Sequence, residues 1–450
     1  MFGLSIGFIR KAAACAAATV AAVFGQSASY AQSDSDSAML KVLVSRGVLT
    51  EQEAADIAKS SAEIPVVRSA EKSVFSIKGG IQVQHAYIDS NIHSGANEGK
   101  HARVNGFMMR RVITTFKADV EDNYGALVSL DFILPHHTSN IYMYKNIDSK
   151  YAKGQLRFGY IKPNFCLEEY TSAFNQYCPE RSLTTNYFTG STVDTTEFSY
   201  RHSNYRKIDI GGFMTGAYWY GKSQSVKGLD YSFAVTNSEN YEYGISNLTK
   251  NGQHNAPDIW AGVVYSKKFD DKLLKFGLNG MYGEDGNKAY DAASVPFFAS
   301  RVFGFNPFLH IEARNFKTTF EFLVAHIEKG CRDSATDFSD NTPLGLNYAV
   351  EYLFDTDWGK IGPVFRYAYL DTDGRGTMVS DGLRKAKNPV SKAFDKANSF
   401  YIGANWYIIG NSLKVQLGYE FARLWGKVYG NSTDESLFSN SVRTEIQILY

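Results

Sequence analysis

The last eleven residues, NSVRTEIQILY at 440–450, decide how the rest of the chain is read. Val442, Thr444, Ile446, Ile448 and Tyr450 fall on one side of a two-residue period; Arg443, Glu445 and Gln447 fall on the other. A strand whose successive side chains point to opposite faces would carry one apolar and one polar face. A soluble sandwich could bury that apolar face. A membrane-spanning barrel would turn it to lipid and keep its polar partner inside, with an aromatic at the rim.

The same period runs through the sequence from Val74 onward. Leu413, Val415, Leu417, Tyr419 and Phe421 oppose Lys414, Gln416 and Glu420; Ala126, Val128, Leu130 and Phe132 oppose Ser129 and Asp131. Leu274, Phe276 and Leu278 oppose Lys275, Gly277 and Asn279. Alternation alone fits both architectures, and the connections separate them. Short ones at Glu121–Tyr124, Asp270–Lys272, Arg314–Asn315, Thr356–Gly359 and Gly410–Asn411 alternate with long ones at 90–103, 163–195, 238–256, 284–298, 329–344, 372–397 and 425–438. Tight turns on one side and long loops on the other are what a meander through a membrane produces. The count is about 16 strands, an even number that returns the chain to its starting side. The segments 139–162 and 195–237 are the hardest to divide into strands. A barrel of this size is too wide for its side chains to fill.

Composition agrees. The 450 residues include 29 Tyr, 31 Phe and 38 Gly against 10 Pro, and no stretch of the mature chain reaches 18 consecutive apolar residues. Transmembrane helices are therefore not expected. At the N-terminus, Arg10 and Lys11 precede an apolar run from Ala12 to Phe24 and a small-residue stretch ending at Ala31. That is the layout of a signal peptide over 1–31; the run is shorter than the roughly 20 residues of a spanning anchor. Cys15 precedes most of the run, which argues against a lipoprotein. Loss of Arg10 and Lys11 takes the formal charge from +1 to −1. That balance excludes nucleic acid and other polyanions as partners by bulk charge. Residues 32–72 read as two short helices, one over Ser37–Ser45 and one from Thr50 with Glu53 completing a capping box. They form a small periplasmic segment ahead of a barrel over 73–450.

Three cysteines remain after export, Cys166, Cys178 and Cys331, so at least one thiol is unpaired or bridges two chains. Cys166 and Cys178 share one loop and could staple it; three separate thiols is the equal alternative. No Cys or His spacing matches a metal site, and the adjacent His136 and His137 would point apart on an extended chain. No catalytic or cofactor fingerprint is present, so neither a catalytic residue nor a cofactor is expected. An enzyme alternative would need a lipid-facing base, for which His326 is the clearest candidate. A structural alternative makes the barrel an anchor and residues 32–72 a periplasmic tether.

The run FMMRRVITTFKADVEDNYGALVSLDF at 107–132, then QLRFGYIKPNFCLEEYTSAFNQYCPERS at 155–182, resembles the phosphate-selective porin O and P family; IGANWYIIGNSLKVQLGYEF at 402–421 resembles its penultimate hairpin. The resemblance implies a homotrimeric 16-stranded outer-membrane channel for small hydrophilic solutes or anions, embedded in the lipid bilayer, with loop 163–188 folded inward. It implies that Arg110 and Arg111 stand at the constriction with Asp131 near them. Lys117, Arg157, Glu168, Glu169 and Arg181 complete the candidate constriction. By strand parity Arg111 faces water with Thr115, Lys117 and Asp119. Arg110 would then face lipid at a cost of about 2–4 kcal/mol, unless it sits at a bulge, near an interface or against a neighbouring protomer. The inward positions mix signs: Arg111, Lys117, Arg157, Lys275 and Lys414 stand among Asp119, Asp131, Glu321, Glu420 and Glu445. Such a mixture predicts a general or weakly anion-preferring pore rather than a dedicated phosphate filter.

Overall fold

The computed structural model describes residues 44, 50–52 and most of 73–450; it leaves out 94–97, 100, 122, 134–137, 151, 190–197, 200–207, 209, 238–256, 286–299, 333–337, 380–393 and 429–435. The leader 1–31, nearly all of 32–72, and His136 with His137 therefore lie outside the described residues. The chain divides into residues 1–75 with 118–124 and a larger unit, 76–117 with 125–450, which carries the barrel.

Sixteen antiparallel strands form a closed wall. They are β1 (Ser73–Ile92), β2 (His101–Val120), β3 (Tyr124–Asp131), β4 (Thr138–Asp148), β5 (Lys153–Ile161), β6 (Met214–Lys222), β7 (Leu229–Thr236) and β8 (Asp258–Phe269). Then come β9 (Lys272–Asp285), β10 (Ser300–Ala313), β11 (Phe316–Arg332), the interrupted β12 (Phe338–Asn341, Leu344–Tyr352 and Phe354–Thr356), β13 (Gly359–Asp371), β14 (Lys396–Asn411), β15 (Leu413–Trp425) and β16 (Ser436–Leu449). Closure is made by β16 on β1, in register from Gly80 opposite Leu449 to Ile92 opposite Leu437. Gly79 and Tyr450 exchange backbone bonds of 2.9 and 3.0 Å just beyond it. A spanning sheet has no water in the bilayer core to satisfy an open edge, so this seam is obligatory.

The difficult segments resolve into β4 to β7. Ser149 and Ala152 close the β4–β5 turn, and the next strand of the wall, β6, starts at Met214. The expected short turns hold. Asp270 takes a left-handed φ of 48° between β8 and β9, and Gly359 takes 109° before β13, where a Cβ would meet the Tyr407 carbonyl at 2.2 Å. Only glycine fits there.

The alternation read from the sequence separates the two faces. Phe276, Leu278, Phe303, Phe305, Ile402, Leu417, Ile446 and Ile448 are exposed on the outside, while Asn279, Asn306, Asn405, Lys414, Gln416, Glu445 and Gln447 are buried inside. Aromatics collect towards the strand ends. Trp358 lies beside the β12–β13 turn and accepts a bond from Trp406 Nε1 at its carbonyl (2.9 Å), and Tyr352 packs on Phe354. At the long-loop end, Tyr367 packs on Phe400 and Phe421 on Phe438. No helix among the described residues is long and apolar enough to cross a membrane.

Candidate pore constriction

The connection from β5 to β6 folds into the barrel. Its described part, 162–189, holds the short helix α1 (Leu167–Tyr170), a 3-10 turn (Ala173–Asn175) and α2 (Leu183–Thr189). Ser182 caps α2: its hydroxyl accepts the Thr185 amide at 3.2 Å and its carbonyl accepts the Asn186 amide. The apolar side chains of this inner loop, Phe165, Leu183, Tyr187 and Phe188, share one cluster with inward Leu323, Ala325, Ala368, Ala397 and Ala422. Small inward residues make the room, and each large loop side chain buried there contributes about 1.5–3 kcal/mol.

Polar tethers carry the loop across the wall. On β10 and β11, Asn306 Oδ1 accepts the Cys166 amide at 3.0 Å, and the Glu321 carboxylate accepts the amides of Leu167 and Glu168. Asn405 Nδ2 and Gln416 Nε2 donate to the Tyr177 carbonyl at 2.9 and 3.0 Å, and Lys414 Nζ to the carbonyls of Phe174 and Gln176 at 3.2 Å. Gln447 Nε2 also reaches the Phe174 carbonyl at 3.2 Å. An unpaired polar group in this position would cost about 1–3 kcal/mol, so the bonds fix the loop's place.

The arginine pair corrects the parity expectation. Arg110 and Arg111 are both buried on the inner side. Inward alternation runs Ala102, Val104, Met108, Arg110, then resumes one residue out of phase at Arg111, Thr115 and Lys117. A bulge-like slip of one residue is the physical reason, and the bilayer penalty for Arg110 does not arise. Arg110 Nε and Nη2 donate to Glu180 at 2.6 and 2.7 Å, while Arg111 Nη1 donates to the neutral Gln82 Oε1 at 2.7 Å. Arg366 Nη1 donates to the Glu180 carbonyl (2.6 Å) and Nη2 to Glu420 (3.0 Å).

The remaining candidates lie in two groups. In the loop, Glu169 pairs with Lys162 and, at 2.8 Å, with Arg181. Glu168 accepts from the Ser182 and Thr185 hydroxyls and lies 3.5 Å from Arg366. Burial pushes the Glu180 carboxyl up, but Arg110 outweighs it and holds it well below the ordinary range. On the far wall, Lys117 Nζ lies 5.6 Å from the Tyr144 ring centroid, and the Arg157 guanidinium lies 4.9 and 4.4 Å from those of Tyr142 and Tyr220. Asp131 accepts the amides of Val112 and Ile133 at 3.3 and 3.2 Å.

The stapled loop is not what forms. Cys166 and Cys178 are both free and buried, for they face different partners: Cys166 Sγ meets Thr185 Oγ1 at 3.3 Å, whereas Cys178 packs with Val364 and Tyr401. Burial pushes the Cys178 thiol up to about 12 and the Cys166 thiol well above its ordinary value. His326 bonds Thr342 at 3.0 Å and packs on Phe303 at the outer surface. Arg366 and Glu180 were absent from the candidate constriction. The inward parity of Arg366 between Phe365 and Tyr367 was available as a signal; the partner across the barrel was not.

Neither a family model nor a curated protein sequence matches the chain. Solved structures do. The chain is similar to an anion-selective porin from Comamonas acidovorans at 11% identity and a TM-score of 0.51, over 84% of this chain and 100% of that one. It is similar to the outer membrane channel DcaP of Acinetobacter baumannii at 10% identity and a TM-score of 0.48, over 85% and 99%. OprB of Pseudomonas putida aligns at 10% identity and a TM-score of 0.47, over 83% and 94%. At 11% identity what is shared with the first of these is the fold alone.

Proposed function

We propose that the chain is an outer-membrane channel through which small hydrophilic solutes and ions diffuse passively. The observation that carries this is a closed sixteen-strand wall with a polar inner face and a tethered loop inside it. Sixteen strands enclose more space than side chains can fill, so water and solutes pass beside the loop. In this reading residues 1–31 direct export and 32–72 lie on the periplasmic side. Liposome swelling tests the proposal: purified protein should admit arabinose faster than raffinose, and vesicles that swell no faster than protein-free ones would refute it.

A mild anion preference follows from the charge pairing. Each loop carboxylate meets a cation, Glu180 through Arg110, Glu169 through Lys162 and Arg181, and Glu168 through Arg366. Arg111 and Arg157, by contrast, bond the neutral side chains of Gln82 and Gln155. Against these cations stand the buried wall carboxylates Glu321, Glu351, Glu420 and Glu445, which keep the preference small. A phosphate-specific filter of the kind the porin O and P resemblance suggests would need more convergent cations.

The outer face supports association with further copies, a homotrimer as that resemblance implies. β1, β2 and β16 turn His85, Asp89, Arg103, Asn105, Asn440 and Thr444 outward, whereas β7, β9, β14 and β15 present mainly apolar side chains such as Phe233, Phe276, Ile402 and Leu417. His85 bonds Asn105 at 2.9 Å, Arg103 pairs with Asp89 at 3.0 Å, and Phe107, whose ring lies 4.7 Å from that of His85, is 83% exposed. His85 lies level with Thr444 and, one strand on, with lipid-facing Leu417. Polar groups at that depth are costly against lipid, and another protomer's wall would cover them.

A further inference from the structure

We infer that Arg157, with Tyr142 and Tyr220, forms a docking point in the lumen for small organic acids that carry a planar ring. This rests on the channel reading and names a class of solute for it. The other lumenal arginines with charged partners, Arg110, Arg181 and Arg366, are bonded to glutamates. Arg157 is not.

Its position is built by three neighbouring strands. Arg157 on β5 stands directly opposite Tyr144 on β4 and Tyr218 on β6, with Tyr142 and Tyr220 on the diagonals. Its guanidinium lies within 5 Å of both diagonal rings. Arg157 Nε donates to Gln155 Oε1 at 2.5 Å, and Gln155 is itself held by a 2.7 Å bond to Asn146. One edge of the fork is therefore committed and its rotation fixed. The two terminal nitrogens keep no protein partner among the described residues. A planar fork held in this way matches a carboxylate through two parallel bonds.

The tyrosines turn their rings, not their hydroxyls, towards the guanidinium. Tyr218 donates its hydroxyl to the carbonyls of Ile161 and Met214, and Tyr220 directs its own to the Lys162 carbonyl. Tyr218 and Tyr220 are parallel to within 4°. The patch therefore offers a fixed cation beside ring faces, suited to a flat anion more than to a compact one. Offset stacking on a tyrosine adds only a modest preference, about three- to tenfold in affinity. That is the scale a channel can use without trapping its solute.

The test is block of single-channel KCl current by sodium benzoate, acetate and phosphate added to the same bilayer. Benzoate should reach half block at a concentration about three- to tenfold below acetate and phosphate. Arg157→Gln should raise the benzoate value about tenfold, and Tyr142→Leu with Tyr220→Leu should bring benzoate level with acetate. Discrete KCl steps show that a channel is present in every case, so absence of block is a failure of the docking point alone. Equal block by the three anions, or benzoate block unchanged in Arg157→Gln, would overturn the inference.

Discussion

Arg110 of β2 and Glu180 of the inner loop are joined by two parallel bonds of 2.6 and 2.7 Å, both side chains buried. This pair ties the loop to the strands beside the β1–β16 seam, and Arg366 holds the same loop residue through its carbonyl. Breaking a buried pair by removing one partner costs about 3–5 kcal/mol, because the other charge is left uncompensated. Glu180→Gln should therefore release this end of the loop, read as a larger and flickering single-channel conductance. The exchange Arg110→Glu with Glu180→Arg should restore steady steps that Arg110→Glu alone destroys. Steady conductance in all three variants would show that the pair does not hold the loop.

The same pair sets an acid limit. The folded Glu180 carboxyl titrates well below its unfolded value of about 4.3. Its stabilisation is thus present above that unfolded value and is lost only as pH falls through the lower, folded one. Steps recorded at pH 4 should be as quiet as at pH 7. A flicker that begins between pH 5 and 4 would contradict the assignment.

The thiols give a chemical prediction. Cys166 and Cys178 are buried and held in the protonated form, so neither should react with a maleimide at pH 7.5 in the folded barrel. Both should label after denaturation without prior reduction. Labelling that requires a reductant would point to the bridge that the structure lacks.

Much of the wall was legible because one face of each strand must meet lipid. The residues 413–421 and 440–450 show that alternation without a break, and their burial follows it position by position. Strand β6, MTGAYWYGK, was harder because its inner face is tyrosine and glycine, so apolarity does not alternate there. The Arg110–Arg111 slip was legible only as one of three alternatives, a bulge, an interface or a neighbouring protomer, because alternation is intact on both sides of it and only the phase changes. The loop's tethers join residues such as Glu180 and Arg366, 186 positions apart, and no local pattern encodes such a meeting.

Assembly can be tested on the outer face. Phe107→Arg places a charge on the most exposed large apolar side chain, beside His85 and Asn105. The unsubstituted chain should run as an oligomer on unheated gels, and Phe107→Arg should run as a monomer without loss of the heat-modifiable barrel. An unchanged oligomer would place the interface elsewhere.

Removal of residues 446–450 takes away the pairing of Ile446, Gln447, Ile448 and Leu449 with β1 and leaves its edge open in the bilayer. The truncated chain should fail to give a heat-modifiable form in outer-membrane fractions. Normal assembly would mean that closure does not depend on this seam.

A planar-bilayer recording shows most directly whether the lumen, narrowed by the tethered loop, is open. Purified protein in 1 M KCl should give discrete ohmic steps, with a reversal potential in a KCl gradient displaced modestly towards anions. That displacement should grow in dilute salt, where screening weakens, and Arg111→Glu should move it towards cations. A bilayer that stays sealed with correctly folded, heat-modifiable protein present would contradict the account.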